Sequence, residues 1–192
     1  MASSTRSLPR VSRSEKMIRD IVVYPDKRLK MVSEPVERFD EELHTLLDDM
    51  YETMIAKNGV GLAAIQVGVP LRVLIINVPV ETDSDDPQVQ QPKENTLEVI
   101  NPVILDAEGK TRYQEGCLSV PGYFEEVDRY KEVRIEYQDR YGKKHIIEDD
   151  EFLSIALQHE IDHLDGKVFV EKLSIIKRKK FEKEWKKRLK NR

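Results

Sequence analysis

Apolar side chains recur at helical spacing in three parts of the chain. Between residues 40 and 58 the repeat predicts an amphipathic helix, with acidic residues in its first turn and Gly59 after its end. A second helix is predicted over residues 151–165, where apolar side chains lie nearly all round and Gly166 follows, so we expect it to be buried. A third helix is expected to start near Ser174.

Stretches rich in β-branched residues between the first two helices predict strands. Residues 71–78 are bounded by prolines and favour a buried strand. Residues 81–95 contain two prolines and no apolar periodicity, so we predict an exposed, mobile loop without a chemical role. Further strands are predicted over residues 97–105, 112–120, 133–138 and 144–148, the last two joined as a hairpin.

The order of these elements indicates the fold class. Regular βαβ alternation and internal repeats do not occur, so we predict an α+β fold with antiparallel or mixed sheets packed around the second, central helix, plus a C-terminal helix. Residues 17–192 are expected to form a single domain, in which residues 174–192 are a basic C-terminal helix. Residues 1–16 are polar and basic, and we predict a disordered extension, either a tag or a targeting remnant.

Charge is distributed unevenly along the chain. The net charge is -4, yet residues 177–192 carry ten Lys or Arg against Glu182 and Glu184, which gives this tail +8 and the preceding residues -12. A basic tail suits a polyanion such as RNA or an anionic membrane surface, although a solvated helix face has the same pattern. The chain has no apolar run that could cross a bilayer, no signal peptide and a single cysteine, so we predict a cytoplasmic protein.

The second predicted helix carries the sequence His159-Glu160-Ile161-Asp162-His163. Residues four apart on a helix share a face, so His159 and His163 can hold one metal ion, and Glu160 beside them can act on a water bound to it. Two ordinary histidines are the alternative. That alternative is disfavoured because a buried apolar helix is a costly place for imidazoles and a carboxylate without partners.

A third metal ligand must come from another part of the chain. The position at which a metzincin would have its third histidine is Phe169. Cys117, in Glu115-Gly116-Cys117-Leu118-Ser119 at the end of a predicted strand, is the candidate, because a thiolate is a strong ligand for transition metals. A buried structural cysteine is the alternative, but a Cys-His-His set with one open position fits a catalytic site.

The glycine-rich segment GVGLAAIQ covers residues 59–66. Its glycines let the backbone approach a ligand closely, and Gln66 ends it with an amide that can donate a hydrogen bond. A flexible turn after the first helix is the alternative. A nucleotide site is disfavoured because the segment lacks the lysine of phosphate-binding loops.

Three segments together resemble the signature motifs of the peptide deformylase family. They are GVGLAAIQ at 59–66, EGCLS at 115–119 and QHEIDHLDG at 158–166, in the family's order, and the resemblance extends from about Met17 to the C-terminus. It implies a metal-dependent hydrolase that removes the N-formyl group from the N-terminal formylmethionine of newly synthesised polypeptides and releases formate.

The resemblance also implies roles for individual residues. Cys117, His159 and His163 correspond to the ligands of one divalent metal ion, with Fe2+ expected and Zn2+, Ni2+ or Co2+ able to replace it. Glu160 corresponds to the catalytic acid and base that passes a proton to the leaving amine. The Gln66 amide and the backbone N–H of Leu118 correspond to the groups that stabilise the oxyanion.

Substrate contacts are expected in two places. Residues 59–61 should bind the nascent peptide backbone as an added strand, and an apolar pocket should hold the methionine side chain. Residues 122–124 depart from the positively charged stretch of some bacterial members, which leaves contacts there open. The substrate-binding candidates are Gly59, Val60, Gly61, Glu115, Leu118, Phe152, Ile155 and Ala156.

The expected partners are nascent formyl-Met polypeptides and, through the basic C-terminal helix, the ribosome. No DNA or membrane partner is expected. Two other functions use the same features: a metallopeptidase that cuts internal peptide bonds with the same helical motif, and an RNA- or ribosome-binding module in which the metal is structural. Neither of these two alternative functions explains why Gln66 and Cys117 lie in the other two segments that resemble deformylase motifs.

Overall fold

A computed structural model describes residues 17–191, so the predicted extension over residues 1–16 lies outside the described residues. The four α-helices are α1 (Glu41–Ala56), α2 (Pro87–Gln90), α3 (Phe152–Leu164) and α4 (Ile175–Lys190). The seven strands are β1 (Gly61–Ala63), β2 (Val73–Ile76), β3 (Leu97–Glu108), β4 (Thr111–Cys117), β5 (Val120–Arg129), β6 (Glu132–Gln138) and β7 (Lys144–Asp149). Four short 3-10 helices connect them, at Lys27–Lys30, Ala64–Val67, Lys93–Asn95 and Phe169–Lys172.

The strands form two antiparallel sheets. One has five strands in the order β1-β2-β3-β6-β7, and the other pairs β4 with β5. Helix α3 lies against β1, β2 and β7 of the larger sheet. The predicted α+β class, with antiparallel sheets around a central helix that carries the His-Glu-Ile-Asp-His segment, is confirmed.

Helix α1 forms where the apolar repeat predicted it. The Asp40 carboxylate accepts a hydrogen bond from the backbone N–H of Leu43 and caps the first turn, where Glu41 and Glu42 add favourable negative charge. The helix buries its apolar face against β1, β2 and β3 through Leu62, Ile75 and Ile100. This packing fixes the C-terminal end of α1 immediately before the glycine-rich segment. The buried side chains of the predicted repeat are Leu43, Leu46, Leu47, Met50 and Met54.

Helix α3 is buried, as predicted, and ends at a close contact. Its apolar side chains, including Leu157 and Leu164, pack against Leu74 and Ile76 of β2. Gly166 follows with φ +72, and a Cβ at that position would lie 2.5 Å from the carbonyl oxygen of Lys30. A glycine is therefore required there both by the backbone conformation and by the space. The contact sets where α3 stops and so holds its polar residues in place.

Helix α4 packs on the body by an aromatic face. Phe181 and Trp185 are buried against Tyr24 and Tyr123, and the indole N–H of Trp185 donates to the carbonyl of Tyr24 at 3.1 Å. Leu189, four residues after Trp185, is 44% exposed, so the packed face ends at Trp185. No helix among residues 17–191 is both long and apolar enough to span a membrane.

The structure differs from the sequence prediction in several segments. The predicted strand 112–120 is divided, because β4 ends at Cys117 and β5 begins at Val120. Neither β5 nor the three-residue β1 was predicted as a strand of its own. The predicted irregular, exposed loop 81–95 contains α2, and its Gln91 is 5% exposed, so that prediction is wrong at this residue.

Candidate metal centre

Helix α3 presents three polar side chains to the interior. His159 and His163 lie one turn apart on one face, with ring centroids 5.0 Å apart, and Glu160 lies between them in the sequence. All three side chains are buried. The ring of Phe169, where a metzincin ligand would stand, is stacked on His159 with centroids 6.0 Å apart. Phe169 therefore supports the imidazole by packing.

Cys117 completes the donor set from the last position of β4. Its Sγ lies 3.4 Å from Nε2 of His163, and the ligand atoms of Cys117, His159 and His163 all lie within 4.8 Å of one another. A thiolate and two imidazoles are donors that suit a divalent transition metal, and three protein ligands leave a coordination position open. In addition, Glu160 Oε2 is buried without a hydrogen-bond partner among the described residues. These residues fit a metal ion.

A buried ion pair stands behind the donor set. Glu115 accepts hydrogen bonds from Arg129 Nε at 2.7 Å and Nη2 at 2.8 Å, and from His159 Nδ1 at 2.7 Å. Burial alone would raise the pKa of Glu115, but the hydrogen bonds from Arg129 and His159 lower it to about 2. The ionised carboxylate keeps the proton of His159 on Nδ1, which leaves Nε2 free to bind a metal. Arg129 also pairs with Asp162 at 2.5 Å.

Glu160 has the environment of a proton-transfer group. Burial raises the pKa of this carboxyl to about 7. The backbone of Gly61 runs directly past it, and a Cβ there would lie 2.6 Å from Glu160 Oε1. Any larger residue at position 61 would displace the carboxylate. A carboxyl with a pKa near neutrality can both take and give a proton under physiological conditions.

The amide of Gln66 is held in one orientation. Its Oε1 accepts a hydrogen bond from the backbone N–H of Ala63 at 2.9 Å, and its Nε2 donates to Ser119 Oγ at 3.0 Å. Nε2 also lies 3.4 Å from Cys117 Sγ. The N–H side of the amide thus faces the donor set, where an oxyanion-stabilising group would have to be.

A cavity of about 480 Å3 opens beside these side chains. Cys117, His159, Glu160 and Gln66 line it, whereas His163 is fully buried and does not. Glu115 lines it too, but both of its carboxylate oxygens already bind Arg129 or His159. The structure brings all the predicted substrate-binding residues to this cavity, namely Gly59, Val60, Gly61, Glu115, Leu118, Phe152, Ile155 and Ala156.

Several cavity residues were not among the predicted ones. Tyr113 packs on Phe152 with ring centroids 5.6 Å apart, and its position two residues before Glu115 in a strand was a usable signal. Phe124, from the segment that departs from some bacterial members, closes over Gly116, where a Cβ would lie 2.4 Å from the ring. Arg129, which does not line the cavity but pairs with Glu115, had no local signal in the sequence. The other lining residues are Lys57, Asn58, Gln114, Gly116, Pro121 and Gly122.

One wall of the cavity is the end of a sheet. Strand β1 pairs with β2 on one side, and no other strand among residues 17–191 pairs with its second edge. The backbone N–H of Asn77 donates to the carbonyl of Val60 at 2.8 Å and extends the ladder by one residue. The glycine-rich segment therefore offers an unpaired strand edge to whatever enters the cavity.

Fold and site together define a metal-dependent hydrolase: a Cys-His-His donor set, a buried glutamate on the same helix, an oriented amide and an adjoining cavity. Residues 18–179 match the family model described as polypeptide deformylase. The chain belongs to this family. Deformylation of N-terminal formylmethionine is the family's function, and the activity predicted from the sequence is thereby confirmed.

Individual relatives agree with this membership. The peptide deformylase of Nautilia profundicola is 60% identical over 171 residues, which cover 89% of this chain and 95% of the relative. That of Helicobacter pylori strain P12 is 56% identical over 167 residues, covering 87% and 92%. The crystal structure of peptide deformylase from Ehrlichia chaffeensis in complex with actinonin is 43% identical, with a TM-score of 0.79 and coverage of 90% and 98%. The one from Legionella pneumophila is 41% identical, with a TM-score of 0.78.

Proposed function

We propose that Cys117, His159 and His163 hold the divalent metal ion with which this enzyme deformylates nascent polypeptides, and that Glu160 is its catalytic acid and base. The observation that carries the proposal is the convergence of the three ligand atoms within 4.8 Å of one another. The buried carboxyl of Glu160 lies on the same helix and lines the same cavity.

Each side chain contributes a separate part of the chemistry. A divalent ion in this position would lower the pKa of water and polarise the formyl oxygen. Glu160 would hold the proton taken from the attacking water and pass it to the amine nitrogen as the C–N bond breaks, so that formate and a free N-terminus result. Gln66 Nε2 and the N–H of Leu118 would donate hydrogen bonds to the oxygen on which negative charge develops.

Glu115 has a positioning role in this proposal and does not hold substrate. Its oxygens accept hydrogen bonds from Arg129 and His159, and a carboxylate so engaged has little capacity left for a ligand. The carboxylate orients the imidazole of His159 and raises its basicity as a ligand.

The substrate would lie along β1 with its first side chain in the apolar part of the cavity. The unpaired edge of residues 59–61 supports strand addition, in which backbone hydrogen bonds give affinity that depends little on downstream sequence. Leu118, Phe152, Ile155 and Ala156 would surround the methionine side chain. Phe124, 62% exposed at the rim, would contact the following residues.

Fe2+ is the metal that we propose for the active enzyme in the cell, with Zn2+, Ni2+ or Co2+ able to occupy the same donors. Purification without oxygen, followed by metal analysis and a deformylation assay on the same fractions, tests this. Activity per site should follow the iron content. Activity that follows zinc content and ignores iron would contradict it.

We also propose that the enzyme works in the cytoplasm and that α4 binds the ribosome. The buried face of α4 is fixed by Phe181 and Trp185, while Lys183 and Lys187 are exposed. Exposed cations at this density would bind the phosphates of RNA in a salt-dependent manner. Co-sedimentation with ribosomes should weaken in the double variant Lys183→Glu/Lys187→Glu, while activity on free peptides stays unchanged. Ribosome binding through α4 would be contradicted if the wild type and the double variant co-sediment with ribosomes to the same extent and added salt does not change the amount.

An assay with matched peptides tests the function itself. A formyl-Met peptide should release formate and a free N-terminus, whereas the same peptide with an acetyl group should remain intact, and neither should be cut internally. Internal cleavage would favour the metallopeptidase alternative. Ribosome binding by a protein without any hydrolysis would favour the binding-module alternative.

A further inference from the structure

We infer that Gln91 is a positioning residue for the substrate-binding strand edge. Its side chain is buried although the surrounding residues 85–90 are exposed or half-buried. Gln91 Nε2 donates hydrogen bonds to the carbonyl of Gly59 at 3.0 Å and to the carbonyl of Asn77 at 2.7 Å. The inference rests on the proposed role of residues 59–61 in binding the peptide backbone.

The two carbonyls explain why an amide stands here. Gly59 precedes β1 and Asn77 follows β2, so their carbonyl oxygens lie at the same end of the β1-β2 ladder. Both groups are acceptors and cannot bond to each other. The NH2 group of a glutamine supplies two hydrogens without charge, one for each oxygen. Gln91 therefore adds a side-chain rung to the ladder beyond the bond between Asn77 N–H and the Val60 carbonyl.

Gly59 occupies a tight place in the cavity wall. A Cβ at this position would lie 2.8 Å from Cδ1 of Leu118, so the glycine-rich segment touches the opposite wall here. Leu118 also carries the N–H that is proposed to stabilise the oxyanion. A shift of the Gly59 carbonyl would consequently change the width of the cleft in which the peptide must lie.

The segment that carries Gln91 is itself held by α1. The Tyr51 hydroxyl donates to the Gln91 carbonyl at 2.8 Å, and Lys93 Nζ pairs with Asp48 at 2.9 Å. Residues 87–95 thus connect the first helix to the strand edge. The segment holds the strand edge in place before substrate binds, which lowers the conformational entropy lost on binding.

Kinetics on peptides of increasing length test this role. The variants are Gln91→Met, which has a similar size but no donor, and Gln91→Asn, which keeps the amide on a side chain one methylene shorter. Gln88→Ala, an exposed position in the same segment, is the matched control. In the wild type, KM should fall from a formyl-Met dipeptide to a tetrapeptide. In both Gln91 variants, KM for the tetrapeptide should rise about fivefold or more, with kcat changed less than about twofold.

The outcomes separate this inference from the proposed function. In one outcome, the wild-type KM falls with peptide length while a folded Gln91→Met or Gln91→Asn protein keeps the wild-type KM for the tetrapeptide. This result overturns the role of Gln91 and leaves strand addition standing. A wild-type KM that does not depend on length overturns strand addition, and the role of Gln91 with it. A lower Tm in the Gln91 variants with wild-type KM values means that the residue is structural, which also overturns the inference. Gln88→Ala should match the wild type in every measurement.

Discussion

The carboxylate of Glu115 accepts a hydrogen bond from Nδ1 of His159 at 2.7 Å. This contact decides which ring nitrogen of the histidine is available to a metal, because the proton stays on the side of the carboxylate. Arg129 binds the same carboxylate through two nitrogens and keeps it ionised. Glu115, which is not a proposed metal ligand, thereby determines which ring nitrogen of His159 can bind a metal.

Replacing Glu115 by glutamine should weaken metal binding. The amide keeps the size of the side chain but gives Arg129 and His159 a weaker, neutral acceptor, so metal affinity should fall about 10- to 100-fold. Competition with a chelator at fixed Zn2+ concentration measures this change. Glu125→Gln, which alters an acid that pairs with Lys177 on α4, is the control and should bind metal as the wild type does. Equal affinities of both variants would contradict the positioning role of Glu115.

The Glu160→Gln variant should retain its metal and lose activity. The amide cannot take a proton from water, so kcat should fall by about 100-fold to 10000-fold. Metal content and formate release measured on the same sample separate the two effects. Full activity in this variant would disprove the proposed acid and base.

Gly61→Ala should damage catalysis without removing a catalytic group. The added methyl would lie 2.6 Å from Glu160 Oε1, so the carboxylate must move away from its place beside the cavity. We expect kcat to drop by about 100-fold, since small misplacements of reacting groups have effects of this size. Gly68→Ala is the control: with φ +80 it should lower stability, but a Cβ there would meet only Arg28, so kcat should stay at the wild-type value. Wild-type kcat in Gly61→Ala would show that the position of the carboxylate is not critical.

The Gln66→Met variant tests the oriented amide. Methionine fills the space but removes the N–H donor, and kcat should fall by about 100-fold or more with KM nearly unchanged. The Ala63 N–H would also lose its acceptor, at a cost of about 1 to 3 kcal/mol in the free energy of unfolding. Kinetics and denaturant unfolding of one preparation measure both effects. If Gln66→Met is less stable than the wild type but keeps the wild-type kcat, Gln66 has only a structural role.

Asp48 makes part of the stability depend on pH. Burial alone would raise the pKa of Asp48, but hydrogen bonds from Lys93 and Arg140 lower it below its ordinary value of 3.8. Because the unfolded state then binds the proton more readily, this stabilisation is complete well above pH 3.8 and disappears as the pH falls below that value. The pair is half-exposed, so we expect less than about 1 kcal/mol.

Denaturant unfolding between pH 3 and pH 7 measures this contribution, and Asp48→Asn should show a shallower loss of stability in acid than the wild type. Asp85→Asn, at an exposed position of the loop that carries Lys93, should keep the wild-type slope. Parallel pH profiles for wild type and Asp48→Asn would contradict the assignment.

Helical periodicity was sufficient to predict α1, α3 and the start of α4, because each helix buries an apolar face that repeats along the sequence. Strand β1 gave no such signal: Gly61-Leu62-Ala63 has little preference for extended structure and becomes a strand by pairing with β2. Pro121 and Gly122 similarly interrupt the apolar alternation of β5, although the strand continues through them.

The residues of the candidate site were also predictable only where the sequence pattern itself determines their position. His159 and His163 were predictable because their spacing alone puts both on one helix face, and Glu160 is their neighbour. Arg129 was not, since its contact with Glu115 depends on β5 returning alongside β4. Gln91 was assigned to an exposed loop because nothing near it in the sequence reveals two carbonyls that require a donor.

The unpaired edge of β1 also bears on solubility. A free strand edge can recruit further copies of a chain and start aggregation, and proteins usually cover such edges or keep them short. Strand β1 is only three residues long, its Leu62 and Ala63 are buried, and Gly61 is the residue of the three that lines the cavity. An edge this short gives a second folded molecule few backbone groups to pair with. We therefore expect the strand edge that would bind a substrate peptide to contribute little to aggregation of the folded enzyme.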